Sequence, residues 1–268
     1  MDIALNEQHN TGLTQTKNVE YSGFPIPENR VSIIVGAFGS GKTEVAVNWA
    51  ISLAGQGAAV KLADLDMANP YFRSREAQQL LRDHGVVPVI PKGEVQFSDL
   101  PVLIPQVKGM LQQSNGEDMA IFDVGGDEPG AKILASLRNS IGNTPYSLYQ
   151  VINSRRPFTD TLEGCLEMKR NIENASGLKV TAYIINSHLM ELTTSEVIAE
   201  GLDLGEKLSV STGIPVAFAT VMEHAMDVVK LRKSLRYPIA VMKRAMLPPW
   251  LTANALRSWP IAVVGREQ

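Results

Sequence analysis

Cysteine is almost absent. Among 268 residues there is one, Cys165. A single thiol cannot close an internal disulfide, which excludes a disulfide-stapled scaffold and suits a reducing compartment. No C-x-x-C occurs, so a bridging iron–sulfur cluster has no ligand set. The four histidines, His9, His84, His188 and His224, are scattered without metal-ligand spacing. No apolar run approaches the roughly 18 residues of a membrane-crossing helix, and the first residues lack the pattern of a signal peptide. A cytoplasmic location is the expectation. Excess charge is missing too. The 25 basic and 28 acidic side chains leave a net charge of −3, so nothing draws the whole chain to nucleic acid or an anionic membrane. G-x-S-x-G is absent, which leaves an α/β-hydrolase unsupported.

Against these absences stands one dense motif. Val31 to Val35 is apolar apart from Ser32 and mostly β-branched, the composition of a buried strand. It runs directly into Gly36-Ala37-Phe38-Gly39-Ser40-Gly41-Lys42-Thr43, which fits G-x-x-x-x-G-K-[ST], the phosphate-binding P-loop. Val45, Ala46, Trp49, Ala50 and Leu53 follow at helical spacing. The glycines permit positive φ and let backbone N–H groups approach phosphate oxygens. The helix that follows points the positive end of its dipole at the same anions. Lys42 supplies a cation for the β- and γ-phosphates, and Thr43 a hydroxyl for Mg²⁺.

The remaining chain alternates strands with helices. Strands are expected over 58–63, 86–90, 118–124, 147–153, 179–186 and 215–220. Helices are expected over 73–84, 100–113, 131–139, 159–175 and 194–211. Such alternation predicts an α/β fold: a mostly parallel central sheet flanked by helices in three layers. Three regions are expected: a polar N-terminal arm over 1–27, a nucleotide-binding domain over 28–222, and an extension over 223–268 packed on that domain. The extension is basic through Lys230, Arg232, Lys233, Arg236, Lys243 and Arg244. Pro238, Pro248, Pro249 and Pro260 interrupt it. Its helical signal runs over 226–235, and a solvated face is the expected role of its basic residues.

A P-loop also needs acids at the ends of neighbouring strands. Asp123 ends an apolar strand and precedes Gly125-Gly126, as a metal-holding acid followed by a γ-phosphate-sensing glycine would. Asp64 and Asp66 form a strand-end D-x-D, and alternation puts both on one face, towards the crevice where strands end. One can anchor Mg²⁺-bound water while the other orients the attacking water. Guanine readers commonly carry N-K-x-D after a late strand. Here the sequence is Asn186-Ser187-His188-Leu189, without the lysine or the aspartate, which favours adenine. Cys165 is expected to pack on a helix.

G-A-F-G-S-G-K-T, then D-L-D, then F-D-V-G-G, taken in that order across residues 30–222, resembles the MinD/ParA branch of P-loop NTPases. That branch includes nitrogenase iron protein, the dethiobiotin and cobyrinate synthases and metallocentre-maturation ATPases. The resemblance implies an ATPase that uses ATP and Mg²⁺ and hydrolyses slowly as a regulatory or maturation switch. It makes Asp64 a Mg²⁺-water contact, Asp66 with Lys42 the catalytic pair, and Asp123 with Thr43 the metal holders. The implied nucleotide contacts are Gly36, Gly39, Ser40, Gly41, Lys42, Thr43, Glu44, Gly126 and Asn186, the last against adenine. It also implies a nucleotide-dependent homodimer and a further protein partner. The chain departs from the family at Ala37, where MinD and ParA carry a signature lysine that reaches across the dimer. Arg73 and Arg75 are the candidates to supply that charge. Two other functional classes fit the same motifs. In a synthetase or kinase, a substrate oxygen rather than water attacks phosphorus. In an adaptor, nucleotide binding matters and turnover is negligible.

Overall fold

A computed structural model describes residues 23–66, 75–89, 100–112, 118–225 and 237–245. The β-branched run Val31–Gly36 forms β1, all six residues buried. The P-loop carries the chain into α1 (Lys42–Gly55). There follow β2 (Ala59–Leu65), α2 (Arg75–Asp83), β3 (Val86–Val89), α3 (Leu100–Gln112) and β4 (Asp118–Gly125). Next come α4 (Glu128–Ile141), β5 (Tyr146–Ile152), α5 (Leu162–Ser176) and β6 (Ala182–Ile185). The described chain closes with α6 (Ser195–Thr212), β7 (Val216–Met222), a 3₁₀ turn at Glu223–Ala225 and β8 (Ile239–Met242).

The strands form one eight-stranded sheet in the order β3-β2-β4-β1-β5-β6-β7-β8. Every pairing among the described residues is parallel. Successive side chains of a strand serve opposite faces. In β1, Val31, Ile33 and Val35 therefore enter one core while Ile34 enters the other. The first core gathers Met110 of α3, Leu134 of α4, Ile172 of α5 and Leu202 of α6. The second gathers Val45, Trp49 and Leu53 of α1 with Leu80 and Leu81 of α2. The architecture is thus the three-layer α/β arrangement expected.

The second core is organised by Trp49, 1% exposed. Its ring stacks on Phe24 at 6.4 Å and meets Tyr149 and Phe218 edge-on at 5.1 and 4.9 Å. Its indole N–H donates to the Pro25 carbonyl at 2.8 Å, so the segment before β1 is sealed against α1. This packing fixes the axis of the helix that follows the P-loop.

Several elements differ from expectation. Helix α4 starts three residues earlier, because Asp127 caps it through Gly130 N–H at 3.0 Å and Pro129 suits the first turn. Strand β6 is shorter than the expected 179–186, and its register with β7 shifts between Tyr183 and Ile184. No strand was expected after residue 222. Yet Ile239–Met242, just after Pro238, pairs in parallel with β7 and adds an eighth strand within the segment read as an extension. Four residues are too few for periodicity to announce a strand. His84 is half-buried, and its Nδ1 lies 2.8 Å from the Leu80 carbonyl oxygen. Residues 1–22, Arg73, the expected helix over 226–235 and the late prolines at 248, 249 and 260 lie outside the described residues.

Replacing Trp49 by alanine deletes a ring with three aromatic neighbours. It should cost about 3–5 kcal/mol of unfolding free energy, as large-to-small core substitutions do. Urea unfolding of the two proteins checks this, and a loss below about 1 kcal/mol would show that the aromatic cluster does not hold α1.

Candidate phosphate and metal site

Register brings the acids together before any side chain is considered. In the sheet, Asp64 of β2 pairs with Asp123 of β4, and Asp123 pairs with Ile34 of β1. Ile34 lies two residues before Gly36, where the P-loop starts. Both acids therefore sit at the carboxyl ends of strands flanking the loop, where open α/β sheets bind ligands. Asp64, Asp66 and Asp123 are 2%, 4% and 0% exposed.

The loop has the geometry its glycines permit. Gly39 and Gly41 hold φ of 74° and 82°, in the left-handed region. Gly41 is the N-cap of α1, and no side chain caps that end, so the first helical turn presents backbone N–H groups to the crevice. Gly126, after β4, packs so closely on the loop that a side chain there would collide with the Gly36 carbonyl.

Two short contacts sit beneath the loop. Lys42 Nζ lies 2.6 Å from Asp66 Oδ2. The Thr43 hydroxyl donates to Asp123 Oδ2 at 2.6 Å. Asp66 N–H donates to Asp64 Oδ1 at 3.1 Å, which fixes the D-x-D turn. Burial alone would push the Lys42 ammonium down, but Asp123 and Asp66 beside it reverse that, and the net shift is upward. Burial pushes the Asp123 carboxyl up to about 6, against the opposing pull of Lys42 and the Thr43 hydrogen bond.

The donor set suits a hard divalent cation. Asp123 Oδ1 is buried and has no hydrogen-bond partner among the described residues, and the Thr43 hydroxyl sits on the other oxygen of the same carboxylate. Oxygen donors of this kind, few in number, fit Mg²⁺, which takes one or two protein ligands and completes its shell with phosphate and water. Among the described residues no cluster of three His, Cys, Asp or Glu forms a closed metal cage.

The other residues singled out in the sequence are placed as follows. Asn186, 1% exposed, donates through Nδ2 to the Ser40 carbonyl at 2.8 Å and accepts at Oδ1 from the Thr220 hydroxyl at 2.7 Å. Its amide thus braces the P-loop from behind. Glu44 accepts at Oε1 from Ala245 N–H, beyond β8. Asn48, one turn on, exchanges two hydrogen bonds with the Lys243 backbone at 2.9 and 3.0 Å. Arg75 begins α2. Cys165 is buried in α5 and burial pushes its thiol up to about 12, as befits a packed group.

Two residues that the sequence did not single out belong to this region. Arg156 donates from Nε to the Gly39 carbonyl at 2.9 Å. His188 comes so close to Gly41 that a Cβ there would lie 3.0 Å from Nε2. Burial first, then Arg156 and Arg244, push its imidazole down to about 4. Arg156 had one signal in the sequence: it follows the end of β5, and strand ends beside β1 are where ligand-facing loops begin.

No family model and no curated protein matches the sequence. Solved structures of similar topology include chloroplast FtsY from Physcomitrella patens, at 18% identity and a TM-score of 0.49 over 75% of this chain and 61% of that one. Cell division protein FtsY from Thermotoga maritima matches at 18% identity and a TM-score of 0.47, over 77% of this chain and 66% of that one. A nucleotide-binding protein in complex with ADP from Archaeoglobus fulgidus matches at 13% identity and a TM-score of 0.41, over 75% and 84%. The chain thus spans less than two thirds of the length of either FtsY. These likenesses carry nothing beyond topology.

Asp123 makes stability depend on pH in a definite direction. Its folded-state pKa is raised from 3.8 to about 6. Its contribution to stability is therefore full below about pH 4 and is lost as pH rises through about 6. Asp123→Asn should be more stable than the natural protein by about 1–3 kcal/mol at about pH 8, with the gap closing towards about pH 4. Urea unfolding at both pH values without added nucleotide or metal measures the gap, and a gap independent of pH would refute the assignment. The buried strand, the glycine loop, the uncapped helix and the acidic strand ends together give this chain the P-loop NTPase fold.

Proposed function

We propose that the chain binds ATP with Mg²⁺ and hydrolyses it slowly, as a regulatory or maturation switch of the MinD/ParA-like kind. The observation that carries this reading is the pair of 2.6 Å contacts beneath the P-loop, Lys42 with Asp66 and Thr43 with Asp123. A cation, a hydroxyl and two carboxylates are buried together at the mouth of a loop shaped for anions. A structural ion pair alone would need neither the left-handed glycines nor the uncapped helix.

The residues divide the work. Backbone N–H groups of the loop and the Lys42 ammonium bind and neutralise the phosphates. Thr43 and Asp123 would hold the magnesium ion, with Asp64 contacting its water; the ion supplies further charge neutralisation on the phosphate oxygens. Lys42 has three N–H donors, and phosphate oxygens compete with Asp66 for them. Once Lys42 turns to phosphate, the Asp66 carboxylate can accept a proton contact from the attacking water and aim it at the γ-phosphate. Gly126, packed on Gly36, passes the state of the phosphate end to α4. Adenine is preferred because Ser187 and Leu189 stand where guanine readers carry a lysine and an aspartate. An aliphatic side chain cannot accept the N–H groups of guanine.

Lys42→Ala should abolish nucleotide binding, whereas Asp66→Asn should lower kcat by about a hundredfold or more with little change in affinity. A group that orients water acts mainly in the transition state. Steady-state phosphate release with parallel titration of ATP–Mg²⁺ separates the two, and equal loss of affinity in both variants would remove Asp66 from its role.

Competition between ATP and GTP for one labelled nucleotide tests the base. ATP should win by about tenfold or more, since an unpaired polar edge of guanine carries that scale of penalty. GTP binding as tight as ATP binding would reverse the assignment.

A further inference from the structure

The phosphate chemistry above makes no use of the loop between β5 and α5. That loop is built on Asn153, 0% exposed. The Asn153 carbonyl accepts from Arg156 N–H at 3.1 Å and from the Thr159 hydroxyl at 2.9 Å. Its Oδ1 accepts from Arg155 N–H at 3.0 Å and from His188 N–H at 3.3 Å, which ties this loop to the one after β6. Phe158 holds φ of 71° while 73% exposed. A bulky residue in the left-handed region is strained and persists only where its surroundings over-determine it. Here Thr159 N–H donates to the Arg156 carbonyl at 3.2 Å, and the Phe158 carbonyl packs on Gly164, where a Cβ would lie 2.6 Å away. The shape of the loop is imposed.

That shape delivers Arg156 to the P-loop. Its Nε donates to the Gly39 carbonyl at 2.9 Å, and a Cβ on Gly39 would stand 3.1 Å from that nitrogen. Asn186 holds the next carbonyl, Ser40, at 2.8 Å. Two successive peptide planes of the P-loop are thus pinned by side chains from β5 and β6 loops that Asn153 joins. The neighbouring Arg155 pairs with Glu200, but no carboxylate among the described residues pairs with Arg156. A half-buried guanidinium with no counter-charge among the described residues, fixed against a P-loop, is a site for anionic oxygen. The loop itself offers only Lys42, because position 37 is alanine.

We propose that Arg156 completes the phosphate site in cis. It acts as a positioning residue that pins Gly39, and as a fixed positive charge at Gly39 in addition to that of Lys42. The site then needs no cation from a second chain to hold its nucleotide. This inference rests on the nucleotide reading above.

Calorimetric titration of the full chain with ADP and with GDP, in the presence of Mg²⁺, tests it on Arg156→Ala, Arg156→Lys and Arg156→Gln. Lys42→Ala is the control for the nucleotide reading, and thermal unfolding is recorded for each protein. Arg156→Ala should weaken binding of the preferred diphosphate about tenfold or more, the scale of a hydrogen bond to a charged group. Arg156→Lys should recover most of that loss. Arg156→Gln, which keeps a donor without the charge, should fall between alanine and lysine. Unchanged affinity in Arg156→Ala beside lost binding in Lys42→Ala would overturn the proposal while leaving the nucleotide site standing. So would a lysine variant as weak as alanine at an unfolding temperature equal to that of the natural protein. A natural protein that binds neither diphosphate would overturn both readings.

Discussion

The structure turns on keeping a buried ammonium in balance with buried carboxylates. Lys42 is 5% exposed and lies against Asp66, with Asp123 near enough to raise its pKa. Burying an unpaired charge is prohibitive, and burying a pair is tolerated only with good geometry. The geometry comes from the backbone. Parallel register sets Asp64 beside Asp123, and the D-x-D alternation returns Asp66 to the same side. Asp123 meanwhile remains a group that burial disfavours in its charged form. Stability is thereby given up at the point where the proposed phosphate and metal site requires charge, as is common where function and folding compete.

The same constraint explains how the rest of the sheet is used. A loop that presents N–H groups must have its carbonyls accepted elsewhere. Ser40 is served by Asn186 of the segment after β6, and Asn186 is in turn held by Thr220 of β7. The strands on the β5–β7 side thus carry the scaffold of the loop, while those on the β2–β4 side carry its acids. Trp49 and its aromatic neighbours set the angle of α1 between the two groups.

Much of this was legible in the sequence. The P-loop, the D-x-D and the acid before Gly125-Gly126 are local patterns in which residue type and position imply chemistry, and each lies at a strand end as expected. The alternation of apolar runs also sufficed for a three-layer fold. What stayed hidden depends on pairing between distant segments. Nothing near Asn186 indicates that its amide would meet a carbonyl 146 positions earlier. His188 is one of four histidines scattered through the sequence, yet the end of β6 brings it to Gly41. β8 was missed because a parallel strand buried at its neighbour's side needs no alternation, and four residues give periodicity no room.

The segment after β8 illustrates packing that no contiguous motif announces. A P-loop presents backbone N–H groups whose positions follow from one contiguous motif. The side chains around the end of that motif converge here from far apart. Glu44 and Asn48 of α1 hold the backbone of residues 243–245 against the P-loop helix. Arg244 crosses to pair with Glu191, three residues beyond His188. The first two turns of α1 are thereby fastened to the segment after the last described strand and to the loop after β6 at once. A change in any of the three would shift the other two, so their arrangement is a property of joint packing. Such a surface leaves no motif, because each contributor is chosen for its fit to the other two and not for a chemistry of its own.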